Sequence, residues 1–185
     1  MTQRTSRIAA LALATTLLAT PLAAQDATAE DAAPEGPAEV ANNTLFGDWL
    51  VTCEAVTVAR NVCRLVQEQK LRQGDALVAR LIAFPVEDGG AVLLAQVPIG
   101  VYLPGGAVFR PEDDAEADQI EMVWQRCLGD VCEAAQALDA AALEALDASG
   151  AILFGYRADV NSNPIVTRVD MTYFKTGLDA LRVPE

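Results

Sequence analysis

Short runs of apolar residues that alternate with polar ones recur along the chain from residue 45 onward. Residues 62–71 alternate in this way, and residues 76–84 and 91–97 form two further apolar runs, separated by Pro85 and the turn residues Asp88-Gly89-Gly90. A period of two predicts β-strands, because successive side chains of a strand point to opposite faces of a sheet. Further strands are predicted at residues 46–53, 101–103, 107–110, 120–127, 151–158 and 165–172.

One segment of this region carries a clear helical pattern. Asp139 is a suitable N-cap, three apolar residues that follow it (Ala142, Leu143 and Leu146) share one helical face, and Ser149-Gly150 provides a stop. A second, shorter helical turn is predicted at residues 177–181. Many short strands with few helices predict a mainly β domain, and we expect an antiparallel β-sandwich rather than a barrel.

The first 44 residues have a different pattern and are expected to lie outside this domain. Residues 1–24 combine Arg4 and Arg7 with a Leu/Ala-rich stretch and a small-residue cleavage site, which is the plan of a secretory signal peptide. The apolar stretch of about 15 residues is shorter than the roughly 20 that a membrane-spanning helix needs. Residues 25–44, rich in Ala, Asp, Glu and Pro, are expected to form a disordered linker. One domain is then predicted at residues 45–185.

The charge of the chain restricts its partners. The net charge is −13, and removal of the signal peptide with its two arginines makes it −15. Such a surface repels nucleic acid and anionic lipid headgroups, so nucleic-acid binding is excluded, whereas cationic peptides, metal ions and basic protein patches remain possible partners. Residues 89–109 carry no charge but contain Pro98, Pro104 and several glycines. This composition indicates strands and turns rather than a membrane span.

The chain has four cysteines and no histidine. Behind an export signal, cysteines are expected to form structural disulfides, for which three pairings exist. Local pairing joins Cys53 to Cys63 and Cys127 to Cys132 and closes two short loops. A four-thiolate zinc site and a redox-active pair are the alternatives, and they are less favoured because neither spacing is the C-x-x-C typical of such sites.

No motif of the chain indicates catalysis. The absence of histidine removes the commonest general base and the commonest metal ligand, and no G-x-S-x-G, S-x-x-K or P-loop pattern occurs. We therefore expect no catalytic residues, no cofactor-binding residues and no metal ligands. A carboxylate-pair hydrolase is the weakest hypothesis. The acidic residues of segment 112–118 offer a possible calcium site, although mutually repelling charges in a loop are commoner.

Several segments, in their order and spacing, resemble one known family, the invasion-associated locus B proteins of Gram-negative bacteria. The resemblance covers nearly the whole predicted domain. These segments are Phe46-Gly47-Asp48-Trp49 before Cys53 and Cys63, Pro98-Ile99-Gly100-Val101-Tyr102-Leu103, Trp124-Gln125-Arg126-Cys127, Cys132-Glu133-Ala134 and Gly177-Leu178-Asp179-Ala180-Leu181. Val131 and Leu178 depart from the pattern, since Gly and Phe are usual at these two positions.

The resemblance implies an exported immunoglobulin-like β-sandwich with two disulfides and no known enzymatic activity. We expect a non-catalytic protein of the periplasm, the outer membrane or the secreted fraction. It would act by contact with an unidentified envelope or host-surface protein, through β-augmentation at a free strand edge. The family name adds a role in host invasion to these expectations. The alternative is a periplasmic small-ligand or cation-binding protein.

Overall fold

In a computed structural model of the chain, residues 40–58 and 60–182 are described, without the side chain of Arg60. These residues form ten β-strands, one 3-10 turn at Leu103–Gly105 and two α-helices. The strands are β1 (Leu45–Phe46), β2 (Trp49–Thr57), β3 (Arg60–Lys70), β4 (Leu77–Pro85), β5 (Ala91–Pro98), β6 (Ala107–Pro111), β7 (Ile120–Leu128), β8 (Val131–Leu138), β9 (Ala151–Tyr156) and β10 (Ile165–Asp170). The helices are α1 (Ala140–Ser149) and α2 (Phe174–Ala180).

The strands form one antiparallel sheet in the order β1-β2-β3-β4-β5-β8-β7-β6-β9-β10. The predictions of a mainly β fold and of two local disulfides are therefore confirmed. Strands near opposite ends of this order also meet: the Tyr156 hydroxyl on β9 donates to the carbonyl of Val78 on β4 at 2.9 Å. The immunoglobulin-like sandwich stays a prediction.

The core cluster combines buried residues from one face of β2, β3, β4, β5 and β8 with buried residues of β6, β9, β10 and the helices. Trp49 is fully buried there, with its ring centroid 4.7 Å from that of Phe174 on α2. Trp124 packs against the same cluster from β7, so both tryptophans belong to the core side as expected. On β5 buried and partly buried residues alternate along the whole strand, which is the burial expected for a period-two pattern.

The structure corrects two of the predicted elements. Residues 131–138 form β8, for which the sequence predicted no strand, because Ala-rich VCEAAQAL contains a single β-branched residue, Val131, and no aromatic residue. Residues 101–103 were predicted as a strand and instead lead into the 3-10 turn, where Pro104 cannot donate a ladder hydrogen bond. Helix α2 begins three residues before the predicted helical turn at 177–181.

The predicted boundaries at the N-terminus stay predictions. The signal peptide (1–24) and most of the linker (25–44) lie outside the described residues. Val40 packs against the core, and the backbone N–H of Asn43 donates to the carbonyl of Val51. Contact with the domain therefore begins at least five residues before Leu45.

Candidate functional site

The edges of the sheet are the first surface to consider for a protein partner, because free backbone groups can pair with an added strand. On β2 the side chain of Asn42 accepts from the backbone N–H of Cys53 at 3.0 Å. On β7, beyond its short pairing with β6, the side chain of Gln125 donates to the carbonyl of Val123 at 2.9 Å. Side-chain amides thus occupy backbone groups on both strands.

At the third edge, β10, a side-chain amide occupies the backbone groups of the last residue of the strand. Gln67 on β3 donates to the carbonyl of Asp170 at 2.9 Å and accepts from the N–H of Asp170 at 3.1 Å. A bulge at Gln125 further interrupts β7. These bonds and the bulge occupy or interrupt single positions along the edges, and the β-augmentation expected from the sequence stays a prediction.

The sheet face that points away from the core carries an unusual apolar stripe, called here the apolar row. Its members are consecutive Cα partners across six strands and do not belong to the core cluster. An antiparallel sheet commonly presents polar side chains on its second face, whereas this row is apolar. Val123 is 61% exposed, Ile82 is 7% exposed, and the other four members are partly buried. In strand order the row is Leu50 (β2), Val66 (β3), Ile82 (β4), Leu94 (β5), Ala135 (β8) and Val123 (β7).

A second stripe, the polar ladder, runs beside the apolar row on the same face. It consists of Glu68 (β3), Arg80 (β4), Gln96 (β5), Glu133 (β8) and Arg126 (β7). Each residue bonds the next: Arg80 Nε donates to Glu68 Oε1 at 2.8 Å and Arg80 Nη1 to Gln96 Oε1 at 3.1 Å. Gln96 Nε2 donates to Glu133 Oε1 at 2.7 Å, and Arg126 Nε to Glu133 Oε2 at 2.7 Å.

These bonds keep both carboxylates of the ladder ionised. The hydrogen bond from Gln96, with the ion pair to Arg126, lowers the pKa of Glu133 below its ordinary value, although burial acts in the opposite direction. The pKa of Glu68 is lowered by Arg80 and then by Lys70, whose Nζ lies 3.1 Å from Glu68 Oε2. The alternation of charges along the ladder therefore persists into the acidic range.

A hollow of about 540 Å³ lies over the β2 to β5 part of this face. Its lining combines three members of the apolar row, Leu50, Val66 and Ile82, with six polar residues, which are Asp48, Thr52, Arg64, Glu68, Arg80 and Gln96. Both guanidinium groups are paired with carboxylates, Arg64 with Glu54 and Arg80 with Glu68. The hollow thus combines an apolar stripe with arginines that are already paired, which suits an apolar group better than a free anion.

The cysteines form two disulfides, each of which joins a pair of neighbouring strands. Cys53 and Cys63 are direct cross-strand partners on β2 and β3, with their Cα atoms 4.0 Å apart. Cys127 and Cys132 are the equivalent pair on β7 and β8, at 3.9 Å. Both cysteine pairs are therefore disulfides, in place of the zinc site or redox pair considered as alternatives. Disulfides indicate an extracytoplasmic compartment. No helix of the described residues is long and apolar enough to span a membrane.

The acidic segment 112–118 lies apart from the outer face. Glu112 forms an ion pair with Arg168 at 2.7 Å, and Asp114 Oδ1 accepts from the N–H of Glu116 at 2.9 Å. Throughout residues 40–58 and 60–182, no three acidic or cysteine side chains gather closely enough to hold a metal ion.

The sequence did not predict the apolar row or the polar ladder. Their residues lie on six strands that are distant along the chain, and β8 was not predicted. The sequence offered one local indication of an apolar outer face. On β5 the outward positions include Val92 and Leu94, so this strand is apolar on both faces. A strand that is apolar on both faces indicates a covered outer surface, but it does not show which strands share that surface.

Comparisons with known proteins agree with this fold. The family model described as "Invasion associated locus B (IalB) protein" matches residues 49–182. The structure is similar to the crystal structure of invasion associated protein B from Bartonella henselae, with a TM-score of 0.65 and 18% sequence identity over 76% of this chain and 95% of that chain. A comparison with curated proteins gave no match. On the strength of the family match, this chain belongs to the invasion associated locus B family.

Proposed function

We propose that this protein is a non-catalytic extracytoplasmic protein that acts by binding another protein through the outer face of its sheet. The observation that carries the proposal is the apolar row, a registered stripe on six strands that lies outside the core cluster and exposes Val123 at one end. Contact surfaces of this kind have an apolar centre and a polar rim with satisfied hydrogen bonds. The polar ladder supplies such a rim.

Two further parts of the proposal follow from family and fold. The printed name of the family associates its members with invasion, and we extend to this chain a role at the cell envelope or at a host surface. The immunoglobulin-like two-layer arrangement belongs to the same proposal. It is supported by the bonds of Gln67 to Asp170 and of Tyr156 to Val78, which join strands far apart in the sheet order.

Site-specific photocrosslinking in intact cells tests the contact surface. A benzophenone amino acid at Val123, which is 61% exposed in the apolar row, is expected to give a discrete protein adduct upon irradiation. Val166 on β10, 55% exposed and away from this face, is the matched control and is expected to give none. Equal labelling at both positions, or no adduct at Val123, would contradict the proposal.

The hollow favours a second candidate function, the binding of a small apolar molecule. Its volume of about 540 Å³ lies within the roughly 300–1,000 Å³ of small-molecule sites. An environment-sensitive apolar dye should then bind the purified protein, and Val66→Arg should abolish the fluorescence increase. The same increase with Val66→Arg and with the wild-type chain would place the dye elsewhere.

A further inference from the structure

We infer that the outer face binds a second copy of this chain, in a dimer whose two-fold axis runs parallel to the strands and passes over β5. The inference rests on the proposed function, which makes this face a protein-contact surface, and it names the partner. Its first support is the order of charges along the polar ladder. From β3 to β7 this order is negative, positive, neutral, negative and positive, carried by Glu68, Arg80, Gln96, Glu133 and Arg126.

That order is complementary to its own two-fold image. Rotation about an axis over β5 exchanges β4 with β8 and β3 with β7, because the two pairs of strands flank β5 symmetrically. Arg80 then faces Glu133 of the second copy, Glu68 faces Arg126 of the second copy, and Gln96 faces its own equivalent. No like charges of the ladder are opposed, as an isologous interface requires.

The apolar row is complementary under the same rotation. Leu94 meets Leu94 of the second copy, and the large side chain of Ile82 meets the small one of Ala135. Val66, which lines the hollow, meets Val123, whose side chain is 61% exposed. Each copy thus offers a projecting side chain on one half of the face and a hollow on the other half.

The polar ladder is balanced in charge, although the chain as a whole is acidic. The chain carries a net charge of −13, whereas the ladder holds two acidic and two basic residues. Two copies that met through acidic surface, such as segment 112–118, would repel each other. The outer face allows two such chains to meet without that repulsion.

Sedimentation velocity of the purified, disulfide-intact chain over a wide concentration range tests the inference. The wild-type chain is expected to reach twice the chain mass. Arg80→Glu and Glu133→Arg should each raise the dimer dissociation constant by at least about tenfold, since each substitution places like charges together at two symmetry-related points. An equimolar mixture of the two variants should dimerise again, because the glutamate that one variant carries on β4 then faces the arginine that the other carries on β8.

Controls separate the interface from general effects of the substitutions. Arg168→Glu makes the same charge change at an ion-paired arginine on β10 and is expected to leave the dimer unchanged. Val123→Lys should prevent dimerisation, whereas Val166→Lys should not, and both positions are exposed enough for the single chain to fold. Circular dichroism of every variant reports its folding.

Three results would overturn the inference. The wild-type chain could sediment with the mass of a single chain at every concentration, Val123→Lys could dimerise as the wild type does, or the mixture of the two charge variants could fail to dimerise. Photocrosslinking at Val123 distinguishes a failure of the dimer inference from a failure of the proposed protein-binding function. An adduct that maps to the β3 region around Val66 of a second copy supports both. An adduct with a different protein, with a monomeric purified chain, overturns the dimer and leaves the proposed function standing.

Discussion

The side-chain amide of Gln67 bonds both backbone groups of Asp170, donating to its carbonyl at 2.9 Å and accepting from its N–H at 3.1 Å. Gln67 is 3% exposed, so this pair replaces a strand-to-strand ladder bond inside the protein. It joins β3, near one end of the sheet order, to β10 at the other end. The indole N–H of Trp49 donates to the same carbonyl at 2.9 Å.

Substitution of Gln67 by Leu is expected to lower the free energy of unfolding by about 1–3 kcal/mol, because it leaves the buried N–H of Asp170 without its partner. Urea denaturation measures the change. Gln136→Leu is the matched control, since Gln136 donates to the neighbouring carbonyl of Ala137 in an exposed position. An equal loss in the two variants would show that the bonds to Asp170 stabilise nothing.

The disulfides are expected to stabilise the fold according to the length of the loop that each one closes. Loss of Cys53–Cys63 by double substitution to Ala should lower the free energy of unfolding by about 3 kcal/mol, and loss of Cys127–Cys132 by about 2 kcal/mol. The sequence separations of 10 and 5 residues give this order. Guanidinium denaturation of both double variants checks it, and the reverse order would rule out the loop-length explanation.

Gly90 lies where no side chain fits. A Cβ atom built there would come 2.4 Å from the carbonyl oxygen of Leu138, which is backbone and cannot rotate away. Gly90→Ala should therefore lower the free energy of unfolding by about 1–3 kcal/mol, as overpacking does. Gly155→Ala is the control, because its nearest contact would be 3.4 Å. Thermal unfolding of the two variants should separate them clearly.

Glu133 makes stability depend on pH in the acidic range. Its pKa is lowered in the folded chain, so the stabilisation is fully present above the ordinary glutamate pKa of about 4.3 and is lost as the pH falls through the folded-state value. Glu133→Gln should be less stable at neutral pH and should lose less stability on acidification. Urea denaturation at a series of pH values, at low protein concentration, measures both.

A matched control for the pH experiment is Glu121→Gln, which removes an exposed carboxylate of β7 outside the polar ladder. This variant is expected to keep the acid slope of the wild-type chain. If Glu133→Gln also keeps that slope, the bonds from Gln96 and Arg126 have no energetic effect on the folded state.

Local features of the chain were predictable where one segment carries the whole signal. The alternating residues 62–71 and the apolar run 91–97 became β3 and β5, and the Asp139 cap lies where predicted, with Oδ1 accepting from Ala142 N–H at 2.8 Å. The Ala-rich β8 was missed because its strand conformation comes from its neighbours β5 and β7 and not from its own residues.

The amino-acid sequence was enough to predict the mainly β class, to favour local pairing of the cysteines and to show the resemblance to one family, because each of these depends on spacing within short segments or on motifs in order along the chain. The folded chain was needed to show that Leu50, Val66, Ile82, Leu94, Ala135 and Val123 share one row, and that a charge ladder runs beside them. Cross-strand register is set by hydrogen bonding between strands distant in sequence, and a shift of one residue would turn every one of these side chains to the opposite face.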